Sequence, residues 1–346
     1  MSVSEGNEEI LQDTAGLSIV VPFFNSLGVF PRLYNSILNQ APSGLSTELI
    51  VVDDCSDDPQ KISDYMAMRP EIRFFRMERN GGPLKARLEG ASKARFSHIL
   101  FFDADDELAP DFFSSVAKAI AQDYSFILFD SLKDDGSVVS PCESEGQVPE
   151  KEAVSSLFIN GRAGYSSCKI FAKRLLSEES YCLPRMMYLE DSALTVTLYS
   201  KARHDAFYIK KQLAFWHDTP GSLSKNFNKD FLKYVLLLAE SRETLIRTEF
   251  DGEEERRYTN ELIRWFASSL YVVFSGLCYS KKADMIKEEF AYIRVSPVFQ
   301  RLLMNSKPRC LPLNAFFCLF CLKRNAPGLF VTGWKIQRAL KNRNRG

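Results

Sequence analysis

The chain has 346 residues, of which 45% are hydrophobic and 25% charged, the proportions of an ordinary soluble globular protein. That length suits one large domain with appended elements, or two domains, and a formal net charge of zero argues against a polyanionic partner. Eight scattered cysteines, several of them inside apolar runs, exclude a disulfide framework and suit a reduced, cytoplasmic compartment.

The opening MSVSEGNEEILQDTAG is acidic and polar, unlike a signal peptide, so residues 1–16 read as a flexible segment. LSIVVPFF, from Leu17 to Phe24, is a continuous apolar run expected to form a strand buried on both faces. Val29, Phe30, Leu33, Ile37 and Leu38 then recur at helical spacing. ELIVVDD (Glu48 to Asp54) and IRFFRM (Ile72 to Met77) are the next expected strands. Asn80, Gly81, Gly82 and Pro83 form a turn into the helical PLKARLEGASKA, with Pro83 where a first helical turn tolerates it. HILFF is the fourth strand. Such β-α repetition with apolar strands predicts an α/β fold, a mostly parallel sheet with helices on both faces, binding its ligand outside the carboxyl ends of the strands.

Further on, YSFILFDSL and DAFYIKKQLAFW read as strands, while SSCKIFAKRLL and YLEDSALTVTLYSKA read as helical in part. From Lys229 the pattern is mainly helical. The last stretch, after Arg301, carries nine lysines and arginines and no acid. Its interleaved aromatics and bases (Phe316, Phe317, Phe320, Lys323, Arg324, Phe330, Trp334, Lys335, Arg338) suit an interfacial helix on anionic lipid. The same pattern suits nucleic-acid stacking, and a solubilising tail is the plain alternative. Cys318 and Cys321 sit in AFFCLFCLKR without a second pair or a histidine, and read as helix packing rather than a zinc or redox site. The longest apolar runs fall short of the roughly 20 residues of a spanning helix.

Two strands end in paired carboxylates. Asp103, Ala104 and Asp105 follow HILFF, with Asp106 and Glu107 behind them. Mg²⁺ and Mn²⁺ commonly take one or two carboxylates while phosphates supply the remaining oxygens. The alternative is a solvated turn in which Asp106 or Asp111 caps the helix at PDFFSSVAKAI. Asp53 and Asp54 end the second strand, and Lys85 and Arg87 stand near a helix N-terminus, a natural neighbour for phosphate. Neither a P-loop nor a dinucleotide fingerprint is present.

The succession LSIVVPFFNSLGVFPRLYNSILNQ, ELIVVDDCSDD, RNGGPLKARLEGASKA and HILFFDADDELAPDFF resembles the nucleotide-binding half of a family 2 glycosyltransferase with the GT-A fold. YLEDSALTVTLYSKA and FWHDTPGSLSK extend the resemblance to about Lys225. It implies a GT-A (Rossmann-like) domain over residues 17–228, split into a nucleotide-sugar half (17–113) and an acceptor half (114–228), then a helical region over 229–346. By the resemblance, Pro22, Phe23 and Asn25 line the nucleotide pocket, and Asp53 with Asp54 reads the base or ribose. Gly82 and Arg87 lie by the nucleotide and its phosphates, and Asp103, Ala104 and Asp105 form the D-x-D element. Asp105 is the implied contact for Mn²⁺ or Mg²⁺. His217 stands where the family often has arginine and is grouped with Asp105 as a metal ligand; phosphate contact there would be weaker and pH-sensitive. Leu88 follows Arg87 where a small polar residue is common.

Asp191 is the implied general base, with Glu190 orienting it or touching the acceptor; the plain alternative is a surface helix acid. The implied activity is inverting transfer of a hexosyl or N-acetylhexosaminyl group from a nucleotide-diphosphate sugar, UDP first, to a glycan or lipid-linked acceptor in bacterial surface polysaccharide or glycoconjugate synthesis. The enzyme is expected in the cytoplasm, touching the inner membrane through its basic end, with no nucleic-acid partner. An inactive nucleotide-sugar-binding module and a nucleotidyltransferase are the rival readings.

Overall fold

The computed structural model describes residues 14–40, 43–160, 162–183, 186, 189–202, 205–219, 230–279, 285–304 and 311–343. The expected flexible segment therefore lies, up to residue 13, outside the described residues, as does most of the turn-and-serine stretch after His217. The chain divides into a sheet unit and a helical unit.

Ten strands make one sheet. They are β1 (Thr14–Phe23), β2 (Thr47–Asp53), β3 (Ile72–Arg76), β4 (Phe96–Phe101), β5 (Glu107–Leu108), β6 (Phe126–Lys133), β7 (Val138–Val139), β8 (Gly146–Gln147), β9 (Lys169–Ala172) and β10 (Ala206–Trp216). Their order is β3-β2-β1-β4-β9-β6-β10-β5, with β7 beside β6 and β8 beside β10. The first four strands are parallel, with Val21 opposite Val51 and Val20 opposite Phe101. The order reverses at β1 and β4, and the crevice beyond their carboxyl ends is where such sheets bind ligands. The expected α/β class and helical carboxy-terminal region are borne out, and the sheet is mixed.

The mixing comes largely from β9, which runs antiparallel between β4 and β6. Its residues lie in SSCKIFAKRLL, expected to be partly helical. Only single 3₁₀ turns flank it, at Ser166–Cys168 and Lys173–Leu175. All four residues of β9 are buried, so ladder pairing on both sides outweighs the weak local preference of the segment.

Alternation along the strands sends side chains to both faces. Ile19, Val21, Val51 and Leu100 join one core with Phe30 and Leu33 of α1 (Phe30–Leu38), Ile62 and Met66 of α2 (Pro59–Ala67), and Phe112 and Val116 of α4 (Phe112–Ala121). On the opposite face lies α3 (Pro83–Ser92), whose Gly90 approaches so closely that a Cβ there would stand 2.3 Å from Val20 and 3.1 Å from Val52. The four-residue helices α5 (Glu150–Ala153) and α6 (Glu178–Tyr181) belong to the helical and sheet units respectively.

The helical unit contains most of α7 (Glu190–Ala202), then α8 (Asp230–Glu249), α9 (Gly252–Tyr279), α10 (Ile286–Val295), α11 (Pro297–Phe299), α12 (Leu313–Lys323) and α13 (Pro327–Arg343). Phe274 and Phe290 pack edge to face at 4.7 Å between ring centres, and Phe330 stacks on Phe317 at 6.3 Å. Cys318 and Cys321 are buried in α12, consistent with packing, and burial raises both thiol pKa values. Among the described residues α9 alone is long and apolar enough to cross a membrane. Its apolar window is 56% buried, with Leu262, Phe266, Leu270 and Phe274 turned inward, as in the core helix of a bundle.

Candidate active site

Three loops meet beyond the carboxyl ends of β1, β2 and β4. The loop after β1 turns at Asn25, in the left-handed region at φ 53°, which asparagine tolerates better than most residues. Its amide donates to Asp57 Oδ2 (2.9 Å), its Oδ1 accepts from the Asp57 N–H (3.0 Å), and its own N–H donates to Ser56 Oγ (2.8 Å). Cys55, at φ 64°, makes the matching turn after β2. Pro22 is half-buried at the end of β1 and Phe23 fully buried. A left-handed asparagine bonded into the loop of a left-handed cysteine marks a backbone shape held by tertiary contacts.

Asp53 and Asp54 both turn inward. Asp53 is fully buried; its Oδ1 accepts from the Ser56 N–H (3.0 Å) and hydroxyl (2.5 Å), and its Oδ2 accepts from Arg76. The β2–β3 register sets Arg76 directly beside it. Asp54 accepts from the N–H groups of Gly81 (2.6 Å) and Gly82 (2.8 Å), pinning the turn before α3. Both carboxylates shape their loops, for the physical reason that a buried carboxylate needs charge-assisted donors, and the backbone and Arg76 supply them. Gly82 has φ 87°, a conformation L-residues rarely adopt, and caps α3.

Arg87, one turn into α3, is 5% exposed and donates to Asp103 Oδ1 at 2.6 Å. Ala104 is buried, Asp105 is half-exposed, and the Asp105 carbonyl accepts from Arg32 of α1. Asp106 is buried; burial first, then the charge of Asp103, push its pKa up to about 8, against the hydrogen bond it accepts from the His217 N–H at 3.1 Å. Asp106 thus anchors the end of β10 rather than capping a helix, and Asp111 makes no side-chain cap either. The His217 ring stands with Nδ1 2.8 Å from Asp134 and Nε2 3.4 Å from Glu107; Nε2 is buried without a hydrogen bond. Arg32 and Asp134, and the partner of Asp106, escaped sequence reasoning because the residues they meet are 73, 83 and 111 residues distant.

Glu190 and Asp191 occupy the first turn of α7 in the helical unit, both half-exposed. Leu189, immediately before them, is left-handed at φ 60°. Asp191 Oδ1 accepts from the Ser192 N–H (2.7 Å), and its carbonyl accepts from Thr195 Oγ1 (2.7 Å). The other ten expected donor-site residues and His217 all belong to the sheet unit.

No three histidine, cysteine, aspartate or glutamate side chains among the described residues converge to hold a metal alone. A divalent cation of the Mg²⁺ type needs only one or two carboxylates when a diphosphate is present. The carboxylates of Asp103, Asp105 and Asp106 lie close enough to act on one another, a donor set that fits such an ion.

A sheet reversing at β1 and β4, with acidic and basic loops at that crevice, is an α/β arrangement of GT-A type. Residues 18–178 match the family described as Glycosyl transferase family 2. The chain is 30% identical over 126 residues to polypeptide N-acetylgalactosaminyltransferase 10 of Homo sapiens, covering 35% of this chain and 21% of that protein. It is 28% identical over 189 residues to poly(ribitol-phosphate) beta-N-acetylglucosaminyltransferase TarS of Staphylococcus aureus, covering 54% of this chain and 32% of that one. It thus spans a fifth to a third of these relatives' length. The structure of S. aureus TarS 1–349 in complex with UDP-GlcNAc superimposes with a TM-score of 0.67 at 20% identity, over 94% of this chain and 92% of that one, a likeness of fold.

Proposed function

We propose that the protein is an inverting glycosyltransferase that moves a sugar from a nucleotide-diphosphate sugar to a hydroxyl of a glycan or lipid-linked acceptor in surface glycoconjugate synthesis. The observation that carries this is the Arg87–Asp103 pair beside Asp105 at the reversal point of the sheet. UDP-N-acetylhexosamines are the first donors to try, since two relatives are named as N-acetylhexosaminyltransferases and one fold neighbour holds UDP-GlcNAc.

Pro22, Phe23 and Asn25 border the nucleotide, and Gly82 and Arg87 lie by its phosphates. Asp105, with Asp103 beside it in the D-x-D element and His217 as a further candidate ligand, would hold Mn²⁺ or Mg²⁺, which when bound would stabilise the charge growing on the departing diphosphate. The acceptor hydroxyl has a high pKa, so a carboxylate must take its proton as attack proceeds; Asp191 is that base and Glu190 orients the acceptor. Its support is a half-exposed place on a helix whose neighbouring residues Ser192, Ala193 and Leu194 are packed inward.

Calorimetric titration of UDP, GDP and CDP, with and without Mn²⁺, tests this on the parent and on Asp105→Ala. One nucleotide is expected to bind only with metal and only with Asp105 intact. A folded sample that binds none with metal would remove the donor site, and pyrophosphate release instead of UDP would favour a nucleotidyltransferase.

The carboxy-terminal helices support a peripheral contact with anionic lipid on the cytoplasmic side. Leu313, Phe316 and Phe320 on α12 and Leu329, Ile336 and Leu340 on α13 are exposed, in a stretch rich in lysine and arginine and free of acid. Sedimentation with anionic but not neutral vesicles, weakened by Phe316→Ser with Phe320→Ser, is the expected result.

A further inference from the structure

Thr195, on the second turn of α7, is buried, and its hydroxyl stands between two backbone carbonyls. Thr195 Oγ1 lies 2.7 Å from the Asp191 carbonyl and 3.3 Å from the Gly164 carbonyl. The residue after Gly164 is Tyr165, which is 47% exposed. One hydroxyl is thus within hydrogen-bond distance of both the turn that carries Asp191 and the segment that carries Tyr165.

The backbone on both sides of Tyr165 is enclosed. Ala163 and Gly164 before it, and Ser166, Ser167 and Cys168 after it, are all buried. Upstream, Val154–Ile159 forms a π-helical turn, closed by the Asn160 N–H on the Ser155 carbonyl at 2.8 Å. The Ala163 N–H then donates to the Ser156 carbonyl at 3.1 Å. Phe158 of the π-helical turn stacks on Tyr199 of α7, with 5.8 Å between ring centres and 17° between planes. Such turns are rare and are frequent at functional sites. A single exposed aromatic is ordinary protein surface. Tyr165 differs in being the exposed member of a buried run, fixed one hydroxyl away from the backbone of the proposed base.

We propose that Tyr165 is a stacking platform for the acceptor, and that the acceptor group presented to Asp191 is a pyranose ring rather than an acyclic polyol. A phenol ring is flat and apolar on its faces, with a hydroxyl that keeps its rim wet. A pyranose turns C–H groups to its faces and hydroxyls to its edge. It can therefore cover the phenol while an edge hydroxyl reaches the half-exposed Asp191 and Glu190. An acyclic polyol has no such face, and it gives up the rotamer freedom of its whole chain on lying flat. The assignment rests on the glycosyltransferase reading above and adds an acceptor class to it.

The test compares the full chain with Tyr165→Ser, which removes the ring, and Tyr165→Phe, which keeps it. Saturation-transfer NMR is run with methyl β-glucopyranoside, methyl N-acetyl-β-glucosaminide and sorbitol, each with and without UDP and Mg²⁺. Sorbitol matches glucose in its hydroxyls and lacks the ring. Both glycosides, and not sorbitol, are expected to receive saturation at their ring C–H protons from the parent and from Tyr165→Phe. Tyr165→Ser should lose it. In transfer assays the KM for the better glycoside should rise about 5- to 20-fold in Tyr165→Ser, with kcat within about twofold of the parent and Tyr165→Phe close to parental in both.

Equal saturation by the parent and Tyr165→Ser, or none of either glycoside by the parent, would make Tyr165 ordinary surface and overturn the proposal. Sorbitol saturated as strongly as the glycosides would overturn the ring-sugar assignment. Calorimetric binding of UDP by the same samples separates this site from the donor site, and all three proteins should bind it alike. A parent that gives ring-dependent, Tyr165-dependent saturation but binds no nucleotide would count against the glycosyltransferase reading and leave Tyr165 as a sugar site.

Discussion

Arg87 and Asp103 face each other across 2.6 Å at the mouth of the sheet, the guanidinium enclosed and the carboxylate 41% exposed. The pair ties α3 to the loop after β4, so the two elements that flank the proposed diphosphate move as one. It also places a full positive charge where leaving-group charge would grow, already desolvated and oriented. Arg87→Met should lower kcat/KM roughly 100-fold while leaving the far-ultraviolet spectrum unchanged. Steady-state kinetics with the preferred donor decide it; a loss below tenfold would make the pair a structural tie only.

Gly90 sets how closely α3 approaches β1 and β2. Its Cβ would meet Val20 at 2.3 Å, a contact that must be relieved by moving the helix. Gly90→Ala should cost about 1–3 kcal/mol in urea denaturation. Because Arg87 rides on the same helix, donor binding should weaken as well, which calorimetry would register.

Asp191 is proposed to take the acceptor proton, and replacing it tests the chemistry separately from the donor site. Asp191→Asn should reduce transfer by about 10²- to 10⁴-fold and leave the UDP affinity at the parental value. A variant as active as the parent would remove Asp191 from the mechanism.

His98 gives the fold a pH dependence of known sign. It is fully buried in β4, between the Ser97 hydroxyl at 2.9 Å and the Tyr124 carbonyl at 3.0 Å, and burial holds its pKa below the ordinary 6.5. In the unfolded chain the imidazole takes up a proton near pH 6.5, while the folded one resists, so unfolding binds a proton in that window. This part of the stability is complete above pH 6.5 and is lost as pH falls through the lower folded value. Denaturation midpoints measured down that range should drop faster for the parent than for His98→Gln; parallel curves would contradict the assignment.

Much of this was legible from residues alone. The apolar runs at Leu17, Glu48, Ile72 and His98 are the strands β1 to β4, and Pro83 does begin a helix after a glycine turn. The Asp103–Asp105 element stands at the sheet's reversal point, as a strand-end acid in an α/β repeat should. The β9 segment misled because its hydrophobic spacing is too short to separate helix from strand. The partners of Asp53 and Asp54 were not legible, since a strand-end carboxylate looks the same in sequence whatever donors the fold brings to it.

What the sequence determined by itself were the features carried by neighbours along the chain: strand and helix periods, the glycine-proline turn, the clustering of acids after β4. These follow from local sterics and from the need to bury apolar faces. The tertiary structure decided who partners whom. Arg76 reaches Asp53, Arg32 reaches the Asp105 carbonyl, and the His217 backbone reaches Asp106 from 111 residues away. It also decided that Arg242 packs over the ring of Trp265. Charges and hydrogen bonds act over a few ångströms, and only the folded packing of distant segments brings groups to that range.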